Sequence, residues 1–160
     1  ERGFLYSLSS YFFKNSTPDI VNSNRLIDDL YDGNLESFFK RLTVFYASVP
    51  HHLSNKTERD FQTIFYIIFR TIGMDPTVNG DIRVEEATSH GSSDAVVELP
   101  DEIYVFEFKL KGNGTANDAL QQINDKDYAL KYDTDTSKKL YKIGVVFDND
   151  RRVVDEYVVE

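Results

Sequence analysis

The amino-acid sequence predicts an α/β protein in which a mixed sheet is flanked by helices. In the first half of the 160-residue chain, apolar residues recur at the three- and four-residue spacing of helices. After about residue 80 the pattern changes to short apolar strands separated by turn residues, and one helical segment interrupts these strands. The predicted order is therefore two helices, a core helix, three strands, a helix and two strands, which favours a layered α/β arrangement.

Three helices are predicted before the first strand. Apolar residues at helical spacing run over 5–12, 35–49 and 61–72. Pro50 ends the second helix, because a residue that precedes proline avoids the α conformation. Thr57 begins a pattern that resembles a capping box, with an aspartate at the third position after it, and this marks the start of the core helix.

The second half of the chain predicts five strands and one helix between the third and fourth strands. Thr115 and Asp118 form a second capping pattern, and this pattern begins the helix. The fourth strand shows little alternation between apolar and polar residues, so we expect it to be buried on both faces. The predicted strands are Ile82–Glu86, Ala95–Leu99, Glu102–Leu110, Leu140–Phe147 and Val153–Val159.

Composition limits the classes of protein that fit. The chain has no cysteine, which excludes disulfides, zinc–thiolate sites and cysteine nucleophiles and favours a reducing, cytoplasmic location. The sequence has no apolar run long enough to span a membrane and no signal peptide, so we expect no membrane partner. Because the chain begins at Glu1, we interpret it as part of a longer protein. We assign residues 1–50 to an N-terminal helical extension or linker and residues 51–160 to the main domain.

The net charge of −9 argues against a protein that binds nucleic acid by bulk electrostatic attraction. The acidity is concentrated, however, because residues 81–107 carry a net charge of −7 whereas residues 108–142 carry +2. A solvated sheet face is the simplest interpretation of such an acidic stretch. We therefore expect the chain alone to bind nucleic acid only weakly.

The third predicted strand contains the residues that point to chemistry. Because side chains alternate between the faces of a strand, Glu107 and Lys109 share one face, while Phe106 and Phe108 point to the other. If the second and third strands form a hairpin, Asp94 comes close to Glu107. Two converging carboxylates repel each other unless one is protonated or a cation lies between them. Oxygen ligands of this kind suit Mg²⁺.

These residues resemble the PD-(D/E)XK nuclease superfamily. Asp94, followed after twelve residues by Glu107-Phe108-Lys109, lies in the helix, three-strand, helix, strand order of the superfamily's restriction-endonuclease-like core (α-β-β-β-α-β), here with an additional C-terminal strand. The sequence is most similar to the branch found C-terminal to an AAA-ATPase-like domain. Further matching stretches run over 58–66, 119–129 and 142–145, so the resemblance covers about three quarters of the chain.

The resemblance implies a role for each matching residue. Asp94, Glu107 and the backbone carbonyl of Phe108 would hold Mg²⁺, with Mn²⁺ as a substitute, and Glu58 would contact the metal or its waters. Lys109 would position the attacking water and stabilise charge on the phosphate. Gln122 would be a supporting active-site residue. The implied activity is that of an endo- or exodeoxyribonuclease that hydrolyses phosphodiester bonds, with DNA as substrate and an upstream ATPase-like domain as partner.

One departure from the branch is visible. Its members commonly have Gly-Arg-x-Asp, whereas this chain has Gly91-Ser92-Ser93-Asp94 and so lacks a basic residue that could contact phosphate. This departure and the acidic total favour an alternative hypothesis, in which the chain is a catalytically degenerate module that keeps the nuclease fold for binding, regulation or assembly. A third hypothesis is a plain interaction domain with an accidental match.

Simpler interpretations of the individual residues also exist. Glu107 and Lys109 could form a solvated pair on an edge strand, and Glu58 could be an ordinary acidic residue in the first turn of a helix. Gln122 could be a surface amide, with Gln121 as a competing candidate for the site. The histidines at 51, 52 and 90 fall in predicted loops, and we interpret them as loop residues.

Overall fold

The fold was analysed in a computed structural model. It describes residues 18–48, 57, 63–65, 67–68, 83–86, 94–126 and 137–160. The elements, numbered in chain order, are α1 (Pro18–Tyr31), α2 (Leu35–Ser48), β1 (Arg83–Glu86), β2 (Ala95–Glu98), β3 (Glu102–Leu110), α3 (Ala116–Asp125), β4 (Lys139–Asp148) and β5 (Val153–Val159). Residues 63–65 and 67–68 are also helical.

The five strands form one sheet in the order β1-β2-β3-β4-β5. β1 pairs with β2, β2 with β3 and β4 with β5 in antiparallel orientation. β3 and β4 are parallel, and α3 lies in the connection between them. The predicted mixed sheet is confirmed, and β3 occupies its centre. Glu107 and Lys109 therefore lie on a strand that has a neighbour on each side.

One face of the sheet carries the larger hydrophobic core. Phe38 from α2 and Phe65 from the helical residues 63–65 pack against Phe106 of β3, with ring centroids 5.9 Å and 5.0 Å from it. The predicted alternation on β3 is therefore correct, since Phe106 and Phe108 are both buried on this face. Burial of such aromatic rings stabilises the packing of the helices on the sheet.

The opposite face of the sheet is covered by α3. A smaller apolar cluster there joins Ile123 of α3 to Val96, Ile103 and Val105 of the sheet. α3 begins at Thr115, where the predicted capping box is present: the Asp118 amide donates to the Thr115 hydroxyl, and the Asp118 carboxylate accepts from the Thr115 amide at 2.7 Å. This cap fixes the start of the helix directly beside the end of β3.

α1 was not predicted from the sequence. Leu26, Ile27 and Leu30 are fully buried and follow helical spacing, but polar residues between them weaken the pattern. The C-terminal end of α1 is joined to the sheet, because the buried Tyr104 hydroxyl donates to the Leu30 carbonyl at 2.7 Å. The helix predicted over 5–12 lies outside the described residues, and the division into 1–50 and 51–160 remains a prediction. No helix in the described ranges is both long and apolar enough to cross a membrane.

Candidate active site

The β2–β3 hairpin brings Asp94 to β3. Ala95 pairs with Phe106, so Asp94, one residue earlier, lies alongside Glu107. The backbone amide of Phe108 donates a hydrogen bond to Asp94 Oδ2 at 2.8 Å, which holds the carboxylate against β3. The expected convergence of Asp94 and Glu107 is thus present, and it arises from antiparallel pairing that continues beyond the last paired residue.

Glu107 is an ionisable side chain buried at the centre of the sheet. Only 3% of its surface is exposed, and its Oε2 atom has no hydrogen-bond partner among the described residues. Burial, together with the negative charge of Asp94, raises the pKa of Glu107 to about 8. The positive charges of Lys109 and Lys126 act in the opposite direction on this pKa. A cation beside Glu107 would favour its ionised form.

The Gln122 side chain bridges Glu107 and Lys109. Its Nε2 amide donates to Glu107 Oε1, and its Oε1 atom accepts from Lys109 Nζ at 2.6 Å. A carboxamide suits this position because it carries one donor group and one acceptor group on the same carbon. The bridge links the acid and the base of the candidate site through a single side chain of α3.

α3 brings Gln122, and not Gln121, to the site. Gln122 lies in the same helix as Ile123, which is buried against the sheet, and is itself half-buried. Gln121 is exposed, and its amide donates to Asp125 Oδ1 within the same helix at 2.7 Å. Since residues one apart on a helix point about 100° away from each other, only one of the two glutamines reaches the sheet.

The interpretation of Glu107 and Lys109 as a solvated pair on an edge strand is wrong. β3 lies between β2 and β4, and the side chains of both residues are engaged by α3. Alternation of apolar and polar residues does not show whether a strand lies at the edge or at the centre of a sheet, and β3 lies at the centre. Two ionisable side chains are retained here on a strand that is otherwise almost entirely apolar.

Several predicted site residues lie outside the described part of the chain. These are Glu58, the three histidines at 51, 52 and 90, and the residues Gly91, Ser92 and Ser93 that precede Asp94. The Phe108 side chain belongs to the core, and the metal-binding role expected for its carbonyl remains a prediction. Among the residues that the structure describes, no group of three or more histidine, aspartate or glutamate side chains is arranged to hold a metal ion.

Sequence reasoning gave no individual role to Lys126, whose charge acts on Glu107. It lies four residues after Gln122, at the C-terminal end of α3, and so shares a helix face with Gln122. The helical spacing from Gln122 could have identified it. Its charge adds a second lysine to those that act on the pKa of Glu107.

Comparison with known proteins identifies the family. The family model described as PD-(D/E)XK nuclease superfamily matches residues 56–157, which include Asp94, Glu107, Lys109 and Gln122. The chain belongs to the PD-(D/E)XK nuclease superfamily. Membership agrees with the observed mixed sheet and flanking helices, which correspond to the restriction-endonuclease-like fold expected from the sequence.

A curated relative of this PD-(D/E)XK chain is a protein of Azotobacter chroococcum mcd 1, named "Uncharacterized protein in vnfD 5'region". The two are 35% identical over 163 residues, which cover 96% of this chain and 30% of the relative. The chain thus spans less than a third of that relative's length. No solved structure was found to match the chain.

Proposed function

We propose that this PD-(D/E)XK chain is a metal-dependent nuclease domain that hydrolyses phosphodiester bonds, with DNA as its substrate. The observation that carries the proposal is the convergence of four side chains at one point on the sheet: Asp94, Glu107, Lys109 and Gln122. Asp94 is held by the Phe108 amide, and Gln122 is hydrogen-bonded to both Glu107 and Lys109. Four polar side chains meeting above a buried apolar strand are costly to retain unless they serve a function.

The donor set fits a hard divalent cation. Glu107 offers a buried carboxylate oxygen with no hydrogen-bond partner in the described residues, and the adjacent Asp94 supplies a second carboxylate. Mg²⁺ is commonly held by one or two carboxylates and completes its shell with waters and substrate phosphate. Asp94, Glu107 and the Phe108 carbonyl would hold the ion, and Glu58 would contact it or its waters. A bound Mg²⁺ lowers the pKa of a coordinated water and neutralises phosphate charge.

Lys109 and Gln122 would supply the remaining chemistry. The Lys109 ammonium would stabilise charge that develops on the phosphate and would orient the attacking water. Gln122 holds that ammonium at 2.6 Å and donates to Glu107, so it would fix the distance between the cationic and anionic groups. Preorganised groups of this kind contribute most when they need no rearrangement during the reaction.

The proposal includes a larger protein. The chain covers only 30% of the Azotobacter relative, which supports a nuclease domain within a longer polypeptide. We infer that an upstream ATPase-like domain accompanies it and provides much of the grip on DNA, since the chain's own charge of −9 gives little attraction for phosphate. The cytoplasmic location inferred from the absence of cysteine belongs to the same proposal.

The test measures cleavage of labelled single- and double-stranded DNA by the purified chain with Mg²⁺, with Mn²⁺ and with EDTA. Metal-dependent cleavage that disappears in Asp94→Asn and Lys109→Met is expected. Asp28→Asn is the matched control, because Asp28 is an exposed carboxylate on α1, on the far side of the sheet from α3. Equal cleavage by wild type and both site variants would refute the assignment.

A second candidate function is binding or assembly by a catalytically degenerate nuclease fold. It is favoured by the stretch Gly91-Ser92-Ser93-Asp94, in which Ser92 takes the place of the arginine that the branch commonly has. Calorimetric titration distinguishes the two candidates. Absence of Mg²⁺ and Mn²⁺ binding, together with absence of cleavage of DNA and RNA, supports the degenerate module, whereas metal binding that requires Asp94 and Glu107 supports the nuclease.

A further inference from the structure

Gly144 on β4 lies where α3 crosses the sheet most closely. It pairs with Glu107 in the parallel register of β3 and β4, and so lies next to Glu107 on the sheet. A Cβ atom built on Gly144 would clash with the Ala116 carbonyl oxygen and would lie 2.7 Å from the Leu120 amide nitrogen. These two atoms are four residues apart in α3 and are therefore the acceptor and donor of one helical hydrogen bond.

The crowding at Gly144 involves helix backbone, not flexible side chains. A side chain that meets another side chain escapes by rotating, whereas a methyl group at 144 would push against a rigid helical turn. The neighbouring α3 residues Ala116 and Ala119 are small and fully buried, which is consistent with close approach of the helix at this end. Only glycine at 144 permits the observed separation of α3 from β4.

This separation determines whether Gln122 reaches Glu107. Glu107 is almost fully buried at the level of the sheet, and a glutamine side chain has limited length. A shift of α3 away from β4 would withdraw the Gln122 amide from both Glu107 and Lys109. The β3 backbone that carries Glu107 and Lys109 would keep its place, and so would the hydrogen bond between Asp94 and Phe108, because β2 and β4 hold β3 on both sides.

We propose that Gly144 is a positioning residue that acts through Gln122: it seats α3 close enough for the amide to bridge Glu107 and Lys109. The inference rests on the proposed nuclease function for its kinetic readout but not for its spectroscopic one. Gly144 touches neither substrate nor metal, and its effect on the bridge between Glu107 and Lys109 passes through the Gln122 side chain.

The first measurement is structural and needs no catalytic activity. In ¹⁵N–¹H spectra of the metal-free chain, the Gln122 side-chain amide is identified as the signal missing in Gln122→Ala. The amide group donates a hydrogen bond to the buried Glu107 side chain, so its protons should exchange slowly with solvent. In Gly144→Ala the signal should move to the position and exchange rate of a solvated glutamine amide. Retention of slow exchange in folded Gly144→Ala would overturn the proposal.

Gly33→Ala is the matched control. Gly33 has a positive φ of 64°, so alanine is strained there, but nothing lies within 4 Å of its added Cβ atom. It lies in the turn between α1 and α2, on the other face of the sheet. The control should lower stability without moving the Gln122 signal. If Gly144→Ala fails to fold, Ala119→Val tests the same spacing from the helix side, with the same expected and contrary results.

The second measurement is a double-mutant cycle on Mg²⁺-dependent cleavage. Gly144→Ala and Gln122→Ala should each lower kcat by about 10- to 100-fold, as loss of a supporting residue commonly does. The kcat of the double variant should lie no more than about twofold below that of Gln122→Ala, because both changes remove the same interaction. Additive losses would contradict the proposal. Absence of cleavage in wild type would refute the proposed function but would leave the spectroscopic test of Gly144 intact.

Discussion

The backbone amide of Phe108 donates to the Asp94 carboxylate at 2.8 Å, so one candidate metal ligand also fastens the open end of the β2–β3 hairpin. The two roles depend on different properties of the side chain. The hydrogen bond from the Phe108 amide needs only an acceptor oxygen, which asparagine also has, whereas holding a cation needs the negative charge. Substitutions at Asp94 can therefore separate stability from metal binding.

We predict that Asp94→Asn abolishes calorimetric Mg²⁺ binding while keeping a free energy of unfolding close to that of wild type. Asp94→Ala should also abolish binding and should lower the free energy of unfolding by about 1–3 kcal/mol, because the Phe108 amide loses its partner. Urea unfolding of both variants in EDTA measures the difference. Equal stability of the two variants would show that the hydrogen bond contributes nothing.

Glu107 should make the stability of the metal-free chain depend on pH. Burial and Asp94 raise the pKa of Glu107 from 4.5 to about 8, so between these values the folded chain retains a proton that the unfolded chain releases. The free energy of unfolding should therefore fall as pH rises across this window, by about 1.4 kcal/mol per pH unit at most, and should level off above it. Urea unfolding between pH 5 and pH 9, in EDTA, tests this.

Glu107→Gln provides the control for that titration. Glutamine keeps the size of the side chain but does not ionise in this range, so the fall in stability with pH should be largely absent. Added Mg²⁺ should stabilise wild type most at high pH, where Glu107 is ionised, and should leave Glu107→Gln almost unchanged. A wild-type slope identical to that of Glu107→Gln would contradict the raised pKa.

Lys109 should affect cleavage far more than metal binding. Lys109→Met removes the ammonium but keeps much of the apolar stem, and it should lower kcat by about 10²- to 10³-fold, as loss of one charge-stabilising donor commonly does. Lys40→Met, an exposed lysine on α2 that pairs with Glu36, is the matched control and should cleave like wild type. A Lys109→Met variant that loses Mg²⁺ binding in the same proportion as kcat would contradict this division of roles.

The strands and the candidate site were largely predictable because their signals are local. The bounds of β3 and β5 agree with prediction, since alternation on β3 and turn residues before β5 define them. The spacing of Asp94 and Glu107 followed from hairpin register, which is fixed by the turn between the strands. Helical spacing narrowed the supporting residue to Gln122 or Gln121. Choosing between them required the orientation of α3 on the sheet.

What the sequence could not provide depends on contacts between distant elements. The close approach of Ala116 to Gly144 joins residues on two elements whose relative position no local pattern encodes. α1 was missed because its polar residues obscure an apolar stripe that only the sheet completes. The pKa of Glu107 likewise depends on burial under α3, which is a property of the packed protein.

A further prediction concerns the helices before residue 50. Phe38 of α2 packs on Phe106 of the central strand, and α1 accepts a hydrogen bond from Tyr104 through Leu30. Removing α1 and α2 would expose this apolar face to water. We expect a chain of residues 51–160 to lose cooperative urea unfolding and to bind the dye ANS, which reports exposed apolar surface. A cooperative transition in this shortened chain would support the division at residue 50.

The N-terminal caps of α3 and α2 allow a test of whether the order of α3 matters for the site. Thr115→Ala removes the hydroxyl that accepts from the Asp118 amide, and Asn34→Ala removes the side-chain oxygen that accepts from the Ser37 amide at 3.1 Å. Each change should lower the free energy of unfolding by about 1 kcal/mol. Only Thr115→Ala should also lower Mg²⁺-dependent kcat, because only α3 carries Gln122 to Glu107 and Lys109. Equal kcat in the two variants, at matched stability, would show that the first turn of α3 does not hold the bridge in place.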